Sequence, residues 1–168
     1  MKLSHLATAA VLAGFAFQAS AVSLGTIPPS VSFSATHDSA FVDTWSFDLA
    51  SASIVAASLT NVEVNFFGSP FGGIVDFAAT LNGVSLLPSG SAKIDGPLTV
   101  TVQVLAGSGS FSPGTYELKV SGSGVTGGSA SYGGNLAAAP VPEPETYAMM
   151  LAGLGAIGFM AMRRRRQD

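Results

Sequence analysis

The sequence contains no cysteine, and it carries few charges for its length. Of the 168 residues only 10% are Asp, Glu, Lys or Arg, against roughly a quarter in ordinary soluble domains. The shortage of charge excludes a charged disordered tail, a coiled coil and a basic nucleic-acid-binding protein. The absence of cysteine excludes disulfides and cysteine-ligated zinc, so an exported domain would have to fold on its hydrophobic core alone.

The few charges are unevenly distributed along the chain. Between residues 22 and 140 only two residues are basic and seven are acidic, whereas the other basic residues lie in the two end segments. An acidic central region argues against nucleic acid as a partner. We therefore divide the chain into an N-terminal segment (1–21), a central domain (22–140) and a C-terminal segment (141–168).

The N-terminal segment has the three parts of a secretory signal peptide. Lys2 supplies the positive start, Leu3–Phe17 is an almost unbroken apolar run, and Ala19 and Ala21 flank Ser20 in a small-residue cleavage motif. The apolar run is short for a membrane span, although a retained N-terminal anchor is the alternative. We expect the Sec machinery and signal peptidase to export and cleave the chain after residue 21.

The C-terminal segment has the pattern of a membrane stop. Residues 146–162 carry no charge, and as a helix they would span ~25 Å, slightly less than a hydrocarbon core of ~30 Å. Four arginines follow at once: Arg163, Arg164, Arg165 and Arg166. Such a cluster stays cytoplasmic, and a nucleic-acid patch is the less favoured reading of it. We expect a transmembrane helix in the inner membrane, with the central domain outside.

This segment resembles a known sorting signal. Pro142-Glu143-Pro144, an apolar helix rich in Gly and Ala, and a terminal arginine cluster follow one another in the order of the PEP-CTERM signal of Gram-negative bacteria. The resemblance covers residues 140–168. It implies recognition of the tripeptide by the membrane protease exosortase, followed by release or transfer outward, often in bacteria that make exopolysaccharide. The two prolines also disfavour helix around Glu143, which would leave an extended stretch open to a protease.

The central domain alternates apolar and polar residues in short runs, as half-buried strands do. The clearest runs are Phe41–Leu49, Val62–Phe66, Gly73–Leu81, Leu98–Val104 and Thr115–Ser121. Weaker ones are Val31–Ala35, Ile54–Leu59, Val84–Leu87 and Ala130–Leu136. About seven to nine strands with apolar residues inward predict an all-β fold, an antiparallel β-sandwich that is Ig-like or jelly-roll-like.

Turn residues separate these runs. Asn82-Gly83 is a strong hairpin signal, Gly107–Ser110 is expected to be a flexible loop, and Gly122–Gly134 is a loose last strand or a linker. Phe66 and Phe67 cannot both face inward on a flat strand. One of them is therefore exposed, or the strand bulges there.

A second resemblance lies in the first clear strand. Phe41, Asp43 and Trp45 resemble the opening motif of the FxDxF family of PEP-CTERM proteins, although Trp45 departs from the third Phe. The family is implied to consist of small exported β domains, and it supplies no catalytic residues.

Asp43 shares the apolar face of its strand, where a carboxylate needs a partner. The favoured reading is that it accepts backbone N–H groups from a neighbouring loop. The alternatives are a Ca²⁺ ligand, with Asp38 or Asp48, and a contact to a sugar hydroxyl beside Trp45. The spacing of the three aspartates does not match a calcium loop.

Catalytic material is scarce, and we expect no enzyme. His37 reads as a turn residue before a strand, and no G-x-S-x-G sequence is present. Trp45, Phe67 and Phe71 could form an aromatic platform for a glycan, although the alternation of Trp45 favours core packing. The sequence therefore predicts a non-enzymatic exported protein of the envelope or extracellular matrix; the alternative is a module that binds exopolysaccharide.

Overall fold

A computed structural model describes residues 18–27, 29–142 and 144–164 of the chain. The positive start and the apolar run of the predicted signal peptide therefore lie outside the described residues, as do Glu143, Arg165 and Arg166.

The described residues form thirteen strands and one helix. The strands are β1 (Gln18–Thr26), β2 (Ser30–His37), β3 (Phe41–Leu49), β4 (Ser53–Phe66), β5 (Ser69–Gly72), β6 (Ile74–Val75), β7 (Ala78–Leu81), β8 (Val84–Ser85), β9 (Leu87–Ile94), β10 (Leu98–Phe111), β11 (Gly114–Gly122), β12 (Gly124–Val125) and β13 (Ala130–Pro140). The helix is α1 (Pro144–Arg164).

Two sheets share one hydrophobic core and form a sandwich. The five-stranded sheet has the order β1-β3-β11-β7-β8, and the six-stranded sheet has the order β2-β13-β4-β10-β9 with β5 added to β4. Every pair in the two sheets is antiparallel except β1 and β3, which run parallel. The predicted antiparallel β-sandwich is confirmed. It has more strands than expected because the runs Gly73–Leu81 and Val84–Leu87 are each divided between two strands, whereas Ile54–Leu59 and Val62–Phe66 are joined in β4.

The core forms where alternating strands face each other. Along β3 every second residue from Phe41 to Leu49 is buried, and β4 buries Val55, Ala57 and Leu59 on the opposing sheet. Each fully buried Val, Leu or Phe contributes roughly 1.5–3 kcal/mol to folding. The side chains of both sheets join in one continuous cluster, which explains how the chain dispenses with cross-links.

The strongest local signals gave correct predictions. The run Phe41–Leu49 coincides with β3, and Thr115–Ser121 lies within β11. Asn82 and Gly83 have φ of 48° and 81° and connect β7 to β8 as a tight hairpin. Positive φ at both central positions is what a two-residue hairpin requires.

Two of three further local expectations were wrong. Residues 107–110 continue β10 in unbroken register with β4 rather than forming a loop, because tertiary pairing overrides the preference of Gly and Ser for turns. Residues 122–134 were expected to form a loose last strand or a linker, and the strand alternative is correct, because they hold β12 and the first five residues of β13. The run Gly73–Leu81 is broken at Asp76, where φ is 50°, and Val75 is 42% exposed instead of facing the core.

Along β4 and β10 the apolar side chains change from one face of the six-stranded sheet to the other. Leu59 and Leu105 are register partners and both are buried in the sandwich. Two residues further on, the inward partners are Asn61 and Gln103, and the amide Nδ2 of Asn61 donates to Oε1 of Gln103 at 3.2 Å. Beyond this pair the apolar residues lie on the opposite face, so the expectation that the apolar side of Leu98–Val104 points inward was wrong.

The predicted signal-peptide cleavage motif lies in a strand. Ala19 and Ala21 belong to the exposed first half of β1, which pairs with the edge of β3. Cleavage after Ala21 would leave Val22–Thr26 to hold the edge position. Cleavage at this site stays a prediction.

The C-terminal helix forms close to the predicted bounds. Helix α1 extends two residues beyond the predicted 146–162 at each end, and Glu145 lies in its first turn. Its large apolar side chains are exposed, from Tyr147 to Met162. Within the described part of the chain, no helix combines the length and hydropathy needed to cross a membrane, so the predicted transmembrane helix is not found.

Candidate functional site

Asp43 is the centre of a buried polar network that joins the two sheets. Strand β3 turns its carboxylate inward among aromatic side chains, and 1% of the residue is exposed. From the opposing sheet, the hydroxyl of Tyr132 donates to Oδ2 of Asp43 at 2.6 Å. The ring nitrogen Nε2 of His37 lies 2.8 Å from the same oxygen. Oδ2 therefore accepts from the Tyr132 hydroxyl, and it accepts from His37 in the tautomer that carries the ring proton on Nε2.

Trp45 extends the network by one hydrogen bond. Its indole Nε1–H donates to the Tyr132 oxygen at 2.8 Å, so that oxygen both accepts a hydrogen bond and donates one. Oδ1 of Asp43 is buried without a hydrogen-bond partner among the described residues. The carboxylate is thus satisfied through one oxygen, and the other lies against the core.

The environment of Tyr132 disfavours its ionisation. Burial raises the pKa of the Tyr132 phenol well above its usual range, and the hydrogen bond to Asp43 raises it further. A phenolate there would place a negative charge directly beside the buried Asp43 side chain. Tyr132 therefore stays a neutral donor in this network.

His37 was expected to be a turn residue, and this interpretation was wrong. It ends β2 with its side chain buried, and its ring stacks on Phe41 with centroids 3.7 Å apart. Its Nδ1 lies 3.4 Å from Oε1 of Gln18, whose Nε2 donates to Asp38. One sequence signal could have revealed this role. His37 lies four residues after Phe33, so strand alternation places both side chains on the same, buried face of β2.

The structure also overturns the readings of Asp43 made from sequence. Its partners are side chains of the opposing sheet, not backbone N–H groups of a loop. A calcium site with Asp48 is wrong, because Asp48 points to the other face of β3, where it accepts from Thr115. Asp38 is bonded to Gln18 and Ser39, and no group of three potential metal ligands occurs among the described residues. Both Trp45 and Asp43 are buried, which leaves no room for a sugar between them.

The network has the character of a structural bridge. The three residues that resemble the FxDxF motif lie on the buried face of β3: Phe41 stacks on His37, Asp43 accepts the hydrogen bonds, and Trp45 is bonded to Tyr132. The network fixes β2 and β13 against β3. Its polar atoms are enclosed by packed rings, so the described geometry places no reactive atom in a cleft.

A cluster of exposed phenylalanines lies at the far end of β4. The rings of Phe66 and Phe67 are 4.6 Å apart, and Phe66 and Phe71 are 6.3 Å apart. Phe67 is 77% exposed and has φ of 48°, a conformation that bulky side chains rarely adopt. We predicted that one of Phe66 and Phe67 is exposed, and in the structure both are. Trp45 is not part of this cluster, because its side chain is buried in the core.

The C-terminal segment leaves the sandwich without a linker. Strand β13 ends at Pro140, and the backbone N–H of Val141 still donates to the carbonyl of Ala52 at 2.9 Å. Pro142 is exposed, and α1 begins at Pro144. Of the arginine cluster, the structure describes the exposed Arg163 and the backbone of Arg164, whereas Arg165 and Arg166 lie beyond the described residues.

Three solved structures resemble the fold distantly. The pre-peptidase C-terminal domain of a Bacillus anthracis collagenase is 16% identical, with 74% of this chain and 97% of that chain covered and a TM-score of 0.37. Salmonella Typhimurium PliG, a periplasmic inhibitor of g-type lysozyme, is 18% identical, with coverages of 71% and 97% and a TM-score of 0.39. A mutant of the Escherichia coli PliG is 15% identical, with coverages of 74% and 100% and a TM-score of 0.36. Similarity at this level carries no conclusion about function.

The informative comparison concerns the C-terminal segment. No curated protein matches the chain, but a protein-family model matches residues 140–166. The matched residues begin at the last residue of β13 and include α1. They hold the proline-flanked Glu143 and all four arginines. Residues 140–166 are a PEP-CTERM protein-sorting motif, which indicates an exported protein that is anchored through its C-terminus before cleavage and is processed by exosortase.

Proposed function

We propose that this protein is a non-enzymatic component of the cell envelope or extracellular matrix, which exosortase releases from its C-terminal anchor. The observation that carries the proposal is the order of parts at the end of the chain. A folded β-sandwich is followed directly by the matched motif and its helix. The sandwich is the cargo, and the motif directs its processing.

Two features of the sandwich support a role without catalysis. The buried polar groups of His37 and Tyr132 are both bonded to Asp43 between the sheets. The charged side chains Lys93, Glu117 and Lys119 are on the surface, where each lies beside a charge of opposite sign. Neither arrangement has a nucleophile and a general base facing a shared cleft.

The processing step is tested with a pair of glutamate variants. A C-terminally tagged full chain is produced in cells with and without exosortase, and the mass of the chain is followed over time. Glu143→Ala should leave the tagged precursor uncut, because it removes the acidic residue between the two prolines. Glu145→Ala is the matched control, since it removes a carboxylate two residues away, in the first turn of α1.

The outcomes separate clearly. Loss of the tag that requires both exosortase and Glu143 supports the proposal. An unchanged mass in both strains would remove the sorting function, and normal processing of Glu143→Ala would remove the role of that residue. A catalytic activity of the purified chain that survives substitution of the C-terminal segment would contradict the non-enzymatic part.

A second candidate function is the binding of exopolysaccharide through the phenylalanine cluster. Phe67 keeps a strained backbone conformation and an exposed ring, and strain of this kind is retained mostly where a site uses it. The adjacent rings of Phe66 and Phe71 widen the surface. The three phenylalanine rings together form an apolar surface on which the face of a sugar ring could stack.

This candidate is tested with the host's own exopolysaccharide and the full chain in mild detergent. Phe67→Ala should weaken binding by about tenfold, and Phe67→Leu should weaken it similarly if stacking rather than apolarity is responsible. Val84→Ala trims another strongly exposed apolar residue and should leave binding unchanged. Absence of binding by the parent chain would end this candidate while leaving the sorting function intact.

A further inference from the structure

The outer face of the six-stranded sheet is free of charge over its five main strands. Residues on this face alternate with the buried residues of the same strands, so the pairing register assigns them. They are Ser, Thr, Asn, Gly, Ala and larger aliphatic residues, with Phe66 at one end. By contrast, the outer face of the other sheet carries Asp48, Glu117 and Lys119. A solvated sheet face normally bears charges, so their absence from these described strands marks a contact surface.

Half of this outer face is aliphatic because the apolar side chains of β4 and β10 change faces at Asn61 and Gln103. Beyond that pair, β4 and β10 place the following residues outward, in facing positions of the register: Val62 and Val102, Val64 and Val100, Phe66 and Leu98. Ile94 on β9 continues the row beside Val100. Val62, Phe66, Leu98 and Ile94 are all exposed. Residues of this kind in such rows are typical of the inner faces of β-sandwiches.

The face is large enough for a stable interface. Five strands of 8 to 14 residues, at ~3.3 Å per residue and a spacing of ~4.8 Å, give a surface of roughly 900 Å². A standard protein interface buries about 800 Å² on each partner. Full coverage of the face therefore meets the requirement of a dimer, whereas the aliphatic half alone would give only a weak contact.

The chemistry of the face favours one occupant. The domain is acidic, with seven acidic and two basic residues between 22 and 140, and it would be repelled by anionic lipid. The aliphatic rows offer no polar side chains to orient sugar hydroxyls. A flat aliphatic sheet face instead packs on another such face at about 10 Å, and a second copy of this chain supplies that face.

We propose that the outer face of the sheet β2-β13-β4-β10-β9 is a self-association surface on which a second copy packs face to face. A two-fold axis along the strands, between β4 and β10, lays the aliphatic rows of β4 on those of β10 in the other copy. The same axis places both chain ends at Pro140 on one side of the dimer. Two copies anchored through their C-termini can therefore associate before processing.

The absence of cysteine makes a single introduced thiol a clean probe. Thr60→Cys lies on the outer face of the middle strand β4 beside Val104, and a bismaleimide that spans about 10 Å would join two copies there. Thr44→Cys is the matched control, because Thr44 lies on the outer face of β3 in the other sheet. Both variants are made in the full chain and cross-linked in intact cells.

Two charge variants complete the test. Val62→Glu introduces a carboxylate into the proposed interface, whereas Val42→Glu introduces one on the other sheet at a residue of similar exposure, 38% against 43%. Cross-linked dimer should form with Thr60→Cys and not with Thr44→Cys. Val62→Glu should lower the Thr60→Cys yield by roughly tenfold or more, and Val42→Glu should leave it unchanged.

The contrary results are equally definite. A Thr60→Cys yield no higher than that of Thr44→Cys, or a yield unaffected by Val62→Glu, would overturn the proposal. Cross-linking of Thr60→Cys to a different protein, or protection of its thiol by polymer or lipid without any dimer, would also overturn it. The fluorescence of Trp45, the single tryptophan, reports whether each variant is folded. Val62→Thr provides a milder substitution, with reduced dimer still expected, should Val62→Glu unfold.

Discussion

The hydroxyl of Tyr132 donates to Oδ2 of Asp43 at 2.6 Å. This bond connects β13 of the six-stranded sheet to β3 of the five-stranded sheet. The residues lie 89 positions apart in the sequence. Within its own sheet Tyr132 faces Ala35 and Asn61, and the Asn61 side chain is bonded instead to Ile74 and Gln103. The sandwich therefore closes in one register, in which the phenol meets the carboxylate.

Removal of the Tyr132 hydroxyl should destabilise the fold. Tyr132→Phe leaves the buried indole N–H of Trp45 without an acceptor and removes one of the donors to Asp43, so we expect a loss of about 2–3 kcal/mol. Tyr116→Phe is the control, because the Tyr116 hydroxyl bonds to the carbonyl of Ser112 at the surface and should cost no more than about 1 kcal/mol. Urea unfolding of the full chain in mild detergent, followed by circular dichroism, measures both. Equal losses in the two variants would contradict the role of the network.

The same residue predicts a loss of stability at alkaline pH. Burial, with the hydrogen bond to Asp43, raises the pKa of Tyr132 in the folded state, whereas the phenol of the unfolded chain ionises near pH 10. The contribution of the neutral phenol is therefore complete below about pH 10 and declines as the pH rises from there towards the folded-state value. The melting temperature should fall above that pH in the parent and in Tyr116→Phe, and fall less steeply in Tyr132→Phe. Parallel curves for the three chains would show that another group is responsible.

Phe67 should be a stabilising site for substitution. It occupies the first position of a tight turn with φ of 48°, as Asn82 does in the β7–β8 hairpin, but Asn tolerates this conformation and Phe does not. Phe67→Asn should therefore raise the free energy of unfolding by about 1 kcal/mol. The reverse exchange, Asn82→Phe, should lower it by a similar amount. A destabilised Phe67→Asn would mean that the exposed ring contributes more packing than its exposure indicates.

The short junction after β13 should limit the rate of processing. The Val141–Ala52 hydrogen bond holds the chain to the sandwich one residue before Pro142, so a protease must approach against the folded domain. Insertion of a Gly-Ser linker between Val141 and Pro142 should speed the loss of a C-terminal tag in cells that contain exosortase. The same insertion after Gly83, in the β7–β8 turn, is the control. An unchanged rate with the linker at Val141 would show that the sandwich leaves the segment freely accessible.

Local patterns were sufficient for the outline of the fold. The alternation of Phe41–Leu49 and the Asn82-Gly83 turn are encoded by neighbouring residues, so β3 and the hairpin could be predicted without tertiary information. The terminal motif was likewise readable as a contiguous order of parts. Alternation, however, defines two faces and does not say which of them is buried.

The errors come from information that lies in the partner strand. The apolar side of Leu98–Val104 faces outward because Leu105 is in register with Leu59, and this register is not visible within the run itself. His37 became a network residue only because β2 pairs with β13, beside Tyr132. Residues 107–110 form a strand because β4 supplies every backbone partner along their length. A pairing between segments so far apart in the chain cannot be deduced from composition.

The hydrogen bond of Val141 has a consequence for whatever finally receives the exported domain. A cut within the tripeptide would leave a new carboxyl end almost flush with the rim of the sandwich. Any molecule joined to that end would be held at a fixed angle to the strands, because no flexible linker would separate the two. The last backbone hydrogen bond after β13 would thus set the orientation of the mature domain on its receiving surface.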